Sequence, residues 1–245
     1  MRRGRPGEAA APPALVAVAH GTRHPAGPAT VDRLLDGVRR RLPGVEVAGA
    51  YVELVYPGVG EVLAALRRPA VVVPLLLSAG YHVRTDLPAA VAEASAPVTL
   101  AAPLGPSAAL TTALLDRVRQ AGAVSGDPVV LGAAGSSDPA ASAAVRRAGR
   151  LLARIWRGPV TCGFLSLARP DLGAALDRAV RRTTRPVTVA PYLLSPGRFA
   201  VDLARLADER GARAAAVLGD HPALADLVVG RYLEHAAVPS SAQAG

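Results

Sequence analysis

The strongest constraint in this chain is that it repeats itself. Ala19-His20-Gly21-Thr22-Arg23-His24-Pro25 is answered by Ala133-Ala134-Gly135-Ser136-Ser137-Asp138-Pro139. Tyr51-Val52-Glu53-Leu54 is answered by Phe164-Leu165-Ser166-Leu167, and a proline follows each string three residues later, Pro57 and Pro170. Pro74-Leu75-Leu76-Leu77-Ser78-Ala79-Gly80 is answered by Pro191-Tyr192-Leu193-Leu194-Ser195-Pro196-Gly197, and Leu104-Gly105 by Leu218-Gly219. Strings that recur in the same order mark a duplicated unit, so the chain has to fold as two similar halves.

Within each half, short β-branched runs alternate with amphipathic windows, the pattern of a parallel sheet with crossover helices. In the first half it predicts strands at Leu15 to Ala19, Val45 to Val52, Ala70 to Leu77 and Val98 to Ala101. Helices are predicted at Thr30 to Arg41, Val59 to Arg67, Thr85 to Ser95 and Ser107 to Gln120. The Gly- and Ser-containing stretch 121–127 reads as a linker. Beyond it, strands are predicted at Val129 to Ala133, Val160 to Leu165, Val187 to Leu194 and Ala214 to Leu218, with helices between and after them. The expected fold class is therefore α/β, in two similar domains, 14–120 and 128–235, each a parallel four-stranded sheet flanked by helices. Segments 1–13 and 236–245 are expected to be tails.

Composition removes several classes of function. The 245 residues are 51% hydrophobic, enough for one large core or two medium ones. No apolar run approaches the ~20 residues of a bilayer span, and Met1 to Pro13 carries arginines but no apolar stretch of a signal peptide. The expected location is the cytoplasm, with no membrane partner. The net charge of +9 is carried by arginine alone and accompanies abundant Ala, Gly and Pro, a bias that looks like mutational pressure. What remains favours an acidic small-molecule partner, since arginine suits bidentate carboxylate or phosphate recognition. Nucleic acid is not expected, because aromatics are only 3% of residues and supply no stacking platform. Cys162, the single cysteine, excludes an internal disulfide and any thiolate metal cage and reads as a core residue.

Positions shared by two copies report what the fold needs, whereas polar positions that differ report chemistry. His20 becomes Ala134 and Glu53 becomes Ser166. His82 falls at or beside Phe199, depending on the one-residue gap that brings Asp86 onto Asp202. His20 follows the first predicted strand, Glu53 ends the second, and His82 lies in the loop after the third. In an open parallel sheet the binding crevice lies beyond those strand ends. Two imidazoles and a carboxylate suit Fe²⁺, Co²⁺, Ni²⁺ or Zn²⁺, and without a thiolate they hold an ion less tightly than a closed structural site. Of the other histidines, His24 reads as a group behind the site or a loop residue, His221 as a helix cap before Pro222, and His235 as solvated.

The strings around His20, Glu53 and His82, the last running Ser78-Ala79-Gly80-Tyr81-His82, together with Asp86-Leu87-Pro88, resemble the sirohydrochlorin chelatases. These are class II chelatases of siroheme and cobalamin synthesis. The resemblance runs from about Leu15 to Leu233 and is to the longer bacterial form, in which two chelatase-like units are fused and one keeps the active site. It implies no permanently bound cofactor. A divalent ion, Co²⁺ or Fe²⁺ with Ni²⁺ as a further option, is the substrate together with a sirohydrochlorin-type tetrapyrrole, and the implied protein is a monomer of two pseudo-symmetric domains. His20 and His82 would hold the metal or take pyrrole protons and Glu53 would assist in both, while Arg23 and Arg84 would meet the carboxylates of the macrocycle rim. The chain departs from the family pattern at His24, where an acidic residue is common, and in a second half without the histidines.

Two other readings fit parts of the sequence. His20-Gly21-Thr22-Arg23-His24-Pro25 matches the later part of the Arg-His-Gly-x-Arg-x-Pro pattern of histidine phosphomonoesterases, but Ala19 stands where the phosphate-binding arginine belongs. A non-catalytic metal or tetrapyrrole carrier would use the same histidines without needing Glu53 as a base.

Overall fold

A computed structural model describes residues 11–236. Most of both expected tails lies outside these residues. The first half runs β1 (Ala14–Ala19), α1 (Ala26–Arg41), β2 (Val47–Tyr51), α2 (Val59–Ala65), β3 (Ala70–Pro74), α3 (Tyr81–Arg84), α4 (Asp86–Ala92), β4 (Val98–Leu100) and α5 (Ala108–Gln120). The second runs β5 (Val129–Ala133), α6 (Pro139–Ile155), β6 (Val160–Phe164), α7 (Leu172–Arg181), β7 (Thr188–Pro191), α8 (Arg198–Asp208), β8 (Arg213–Ala214) and α9 (Pro222–Ala236). Each half forms a four-stranded, all-parallel sheet, in the orders β2-β1-β3-β4 and β6-β5-β7-β8. The α/β class and the duplication are as the sequence predicts.

The departures are local and have physical causes. α1 begins four residues before the predicted Thr30 because Pro28 falls in its first turn, where a missing N–H leaves no helical bond unmade. β3 and β7 stop at Pro74 and Pro191, residues with no N–H for the ladder. The Leu75 and Tyr192 amides still bond across, to Val18 and Gly132, so the expected strands continue as irregular extended chain. The helix predicted at Thr85 to Ser95 is α4, and the stretch before it, read as loop, forms the additional short helix α3, separated from α4 at Thr85, whereas the second copy runs unbroken through α8. β8 keeps only two residues at the sheet edge.

Strand alternation divides the core into layers. Leu15, Ala17 and Ala19 of β1, with Val129, Leu131 and Ala133 of β5, face one continuous central cluster shared by both halves. Ala14, Val16 and Val18 face an outer cluster with Leu63 and Leu87, and Val130 faces another with Leu172 and Leu203. Strands covered on both faces read as unbroken apolar runs, which is how they appear in the sequence. The central layer also interlocks the halves. α9, the last helix of the second repeat, packs on α1, α5 and β3 of the first, and α5, the last helix of the first repeat, packs on α6 and β7 of the second. Tyr232 of α9, 1% exposed, donates to the Pro13 carbonyl at 2.7 Å and so ties the end of the second repeat to the start of the first. Among the described residues no helix is long and apolar enough to cross a membrane.

Asp127 fastens the junction between the repeats. Its buried carboxylate accepts the Val124 amide at 3.0 Å and Arg185 Nε at 2.9 Å, and its carbonyl accepts Trp156 Nε1 at 2.8 Å. The Val124 bond first, then Arg185, hold its carboxyl below the usual carboxylate value, against the opposing push of burial. The unfolded chain therefore takes up this proton at higher pH than the folded one, so the stabilisation is full at neutral pH and is lost as pH falls through the folded value. Asp127→Asn is expected to cost about 1–3 kcal/mol at pH 7. In denaturant titrations the gap to wild type should narrow toward pH 3, and a gap independent of pH would refute the assignment.

Candidate metal centre

His20 immediately follows β1 and Glu53 lies two residues past β2. The two strands are in parallel register with Ala19 opposite Tyr51, which places the residues after them side by side. The Glu53 amide donates to the His20 carbonyl at 3.1 Å. The second copy makes the same bond, Ser166 N–H to the Ala134 carbonyl at 2.9 Å, so the turn itself is a property of the repeated fold.

Gly21 is what lets the two loops meet. Its φ is +102°, and a Cβ there would lie 1.8 Å from the Glu53 carbonyl oxygen. Gly135 has φ +94° and the same 1.8 Å approach to the Ser166 carbonyl. Only glycine accommodates both the backbone angle and the contact. Leu54 and Leu167, at matching positions, also have positive φ, 67° and 55°. The exposed Leu54 side chain thus sits next to a Glu53 that is turned toward His20.

α3 supplies His82. The His20 and His82 rings stand edge to face, with centroids 4.8 Å apart and an interplanar angle of 89°. His20 Nδ1 lies 3.5 Å from Glu53 Oε1. One donor atom from each of His20, Glu53 and His82 falls within 4.8 Å of the others. An ion with bonds of ~2.0–2.2 Å holds adjacent donors about 3.0–3.5 Å apart, so the His20–Glu53 pair, at 3.5 Å, already has the spacing, and the wider separations have to close for the trio to bind an ion. Three protein donors leave further coordination positions for a second ligand, as in sites where metals react. About half of the His20 and Glu53 side-chain surface is exposed, which gives an incoming ion direct access.

His82 has an orienting partner that the comparison of halves passed over. Its Nδ1 lies 2.6 Å from Asp86 Oδ2, four residues on. Such a contact places the ring proton on Nδ1, so Nε2 carries the lone pair, the arrangement by which carboxylates orient metal-binding histidines. Asp86 appears in the sequence strings, but the comparison of halves gives it no role because the second copy retains an aspartate, Asp202. There the carboxylate lies 3.6 Å from Arg198 Nε, also four residues away. The i, i+4 spacing from His82 to Asp86 was the available signal. Asp86→Ala is expected to weaken Co²⁺ binding about 10–100-fold. Calorimetric titration measures this, and an unchanged affinity would show that Asp86 does not orient the ligand.

Among the described residues the second copy offers no equivalent cluster. The Ser166 hydroxyl donates to the Ala134 carbonyl at 2.9 Å instead of facing outward. Beside it is a small cleft lined by Ala134, Ser142, Val145, Phe164 and Tyr192, with Leu77 of the first half opposite. Of the remaining residues considered from sequence, Arg23 is exposed on the β1–α1 loop. Arg84 forms an ion pair across the halves with Asp138. His24 Nδ1 accepts the Ala26 amide at 3.2 Å, as the carboxylate of its counterpart Asp138 accepts that of Ala140 at 2.9 Å. His221 Nδ1 accepts the Ala223 amide at 3.2 Å, the capping role read from the sequence, and its Nε2 faces Asp116 at 3.2 Å. Cys162 is half-buried at the edge of the central cluster, and burial raises its thiol pKa above the ordinary value.

Fold and site together define a duplicated α/β protein in which one copy carries an imidazole–carboxylate cluster able to hold a metal ion. Residues 14–121 and 128–235 each match the CbiX family model, so the chain belongs to the CbiX family. Three solved structures share the fold over nearly the whole chain. SirB from Bacillus subtilis with Fe³⁺ is 22% identical, with a TM-score of 0.79 over 92% of this chain and 96% of that one. The sirohydrochlorin chelatase SirB from B. subtilis subspecies spizizenii in complex with cobalt is 23% identical, with a TM-score of 0.74 over 92% and 95%. CbiX, the terminal enzyme of siroheme biosynthesis in denitrifying bacteria, is 23% identical, with a TM-score of 0.69 over 91% and 99%. A comparison with curated proteins finds no match.

Proposed function

We propose that this protein is a sirohydrochlorin chelatase that inserts Co²⁺ or Fe²⁺, with Ni²⁺ as a further substrate, during siroheme or cobalamin synthesis. The observation that carries the reading is the convergence of His20, Glu53 and His82 within 4.8 Å at the strand ends of a CbiX-family unit. Metal entry expels two pyrrole protons, so a chelatase needs an ion holder and a proton acceptor at one place. Imidazoles and a carboxylate supply both roles. Without thiolates, and with donors that must draw closer together to bind, the trio is suited to giving the ion up.

The same geometry argues against a phosphomonoesterase. Glu53 stands 3.5 Å from the His20 ring and would repel a phosphate approaching that histidine. Arg23 and Arg84, on the loops that carry His20 and His82, are the proposed contacts to the macrocycle carboxylates. The protein is read as a cytoplasmic monomer that keeps no permanent cofactor. Supporting this are the single cysteine and two repeats that already bury each other's last helices.

The test mixes the purified full-length protein with sirohydrochlorin and each of Co²⁺, Fe²⁺ and Ni²⁺, following the absorbance change of metallation. A rate well above the uncatalysed one with at least one metal is expected. Insertion no faster than in buffer with all three would sink the reading, and tight metal binding without insertion would favour a carrier.

A further inference from the structure

Three contacts at the strand ends join the halves close to the metal centre. Pro196 and Gly197, after β7, abut Gly27 of α1 and Thr22 of the loop that begins at His20. The Tyr192 hydroxyl donates to the Leu77 carbonyl at 2.9 Å, on the chain leading to His82. Arg84, two residues beyond His82, bonds through its NH2 group to Asp138 Oδ2 at the start of α6. The third contact differs from the others because it joins a charged side chain of the first half to a carboxylate of the second.

The two oxygens of Asp138 do separate work. Oδ1 accepts the Ala140 amide at 2.9 Å and caps the 17-residue helix α6, while Oδ2 takes Arg84. The carboxylate is only 14% exposed, so it is a fixed anchor on a rigid element. Arg84 remains 53% exposed, and a guanidinium has five N–H donors, most of them beyond this contact. The pairing is also one-sided. The counterpart of Asp138 in the first copy is His24, and the positions matching Arg84 are Ala200 or Val201, so the corresponding bridge cannot form. It braces only the half that holds the three donor residues.

We propose that Asp138, contributed by the second half, is a positioning residue for substrate: it holds the Arg84 guanidinium beside the metal centre, where its remaining donors engage a peripheral carboxylate of the tetrapyrrole. This rests on the chelatase reading and adds a role for the second repeat in it. Arginine loses considerable side-chain freedom when it binds a carboxylate, and an anchor that restrains it beforehand lowers that cost. A carboxylate gripped at the rim also sets how the macrocycle lies over His20 and His82.

Asp138→Asn separates the two functions of the side chain. Asparagine keeps an oxygen for the Ala140 amide, and it is as good a helix cap as aspartate, but it turns an amide NH2 toward Arg84. The full-length variant should unfold at the wild-type temperature and bind Co²⁺ alone with wild-type affinity. Its KM for sirohydrochlorin should rise about tenfold with kcat changed less than about twofold, as for loss of uniform binding. Discrimination against a tetrapyrrole with fewer peripheral carboxylates should shrink in parallel. In an Arg84→Ala background the substitution should have no further effect, because Asp138 acts through Arg84. An unchanged KM, or an equal effect with and without Arg84, overturns the inference while leaving the chelatase reading intact. A wild-type protein that inserts no metal defeats that reading instead, and equilibrium binding of the octacarboxylate tetrapyrrole then decides the role of Asp138: a tenfold weaker affinity in Asp138→Asn upholds it and an unchanged one overturns it.

Discussion

Replacement of His20 or His82 by alanine is expected to lower the rate of metal insertion by roughly 10²–10⁴-fold, the range for removing a positioned proton-transfer group. Loss of either imidazole leaves one histidine and Glu53, too few donors to hold an ion and accept protons at once. His20 is half-exposed, so its removal should alter stability by no more than about 0.5 kcal/mol. The double variant should be little worse than either single one, because groups that act as a unit do not lose activity additively. Ser166→Ala, at the position matching Glu53 in the second repeat, should leave the rate at the wild-type value, since its hydroxyl serves only the Ala134 carbonyl. Initial rates from tetrapyrrole absorbance, with Co²⁺ affinity measured alongside, check each expectation. Rates within about threefold of wild type for both histidine variants would remove the trio from the reaction.

Gly21→Ala and Gly135→Ala should separate fold from chemistry. Both substitutions force a side chain into a positive-φ conformation and onto a carbonyl oxygen 1.8 Å away. The backbone strain alone is worth about 1–3 kcal/mol, and relieving the collision has to push two loops apart. Both variants should therefore melt at lower temperature by similar amounts. Only Gly21→Ala moves Glu53 away from His20, so only it should also lose most of its metal affinity and insertion rate at a temperature where both variants remain folded. Equal retention of activity in the two would mean that the His20–Glu53 geometry does not matter.

Much of this architecture was legible because it is written in short-range and periodic signals. The recurring Gly21/Gly135 and Pro57/Pro170 marked the same turns in both copies, and the apolar runs marked strands buried on both faces. His20, Glu53 and His82 stood out because the other copy lacks all three, and topology alone brings strand ends to one edge. The same logic failed for Asp86. A comparison that treats shared positions as structural cannot see a residue whose counterpart, Asp202, is kept but faces an arginine in place of a histidine. The apolar runs also carry β3 and β7 too far along the chain, because apolar character persists past Pro74 and Pro191 while hydrogen-bonding capacity does not.

The sequence by itself determined the duplication, the order of strands and helices, and which copy carries the imidazoles, since each follows from local backbone preference and side-chain periodicity. Tertiary structure alone decided that the repeats exchange their last helices, α5 and α9, and that Asp138 of one half holds Arg84 of the other. Those contacts join residues 54 positions apart at Arg84–Asp138, 115 at Leu77–Tyr192 and 219 at Pro13–Tyr232. At such separations no local propensity constrains the pairing. Partners are selected by how two twisted sheets and their helices pack around one shared core, and that packing sets Asp138 of the second half against Arg84, two residues from His82.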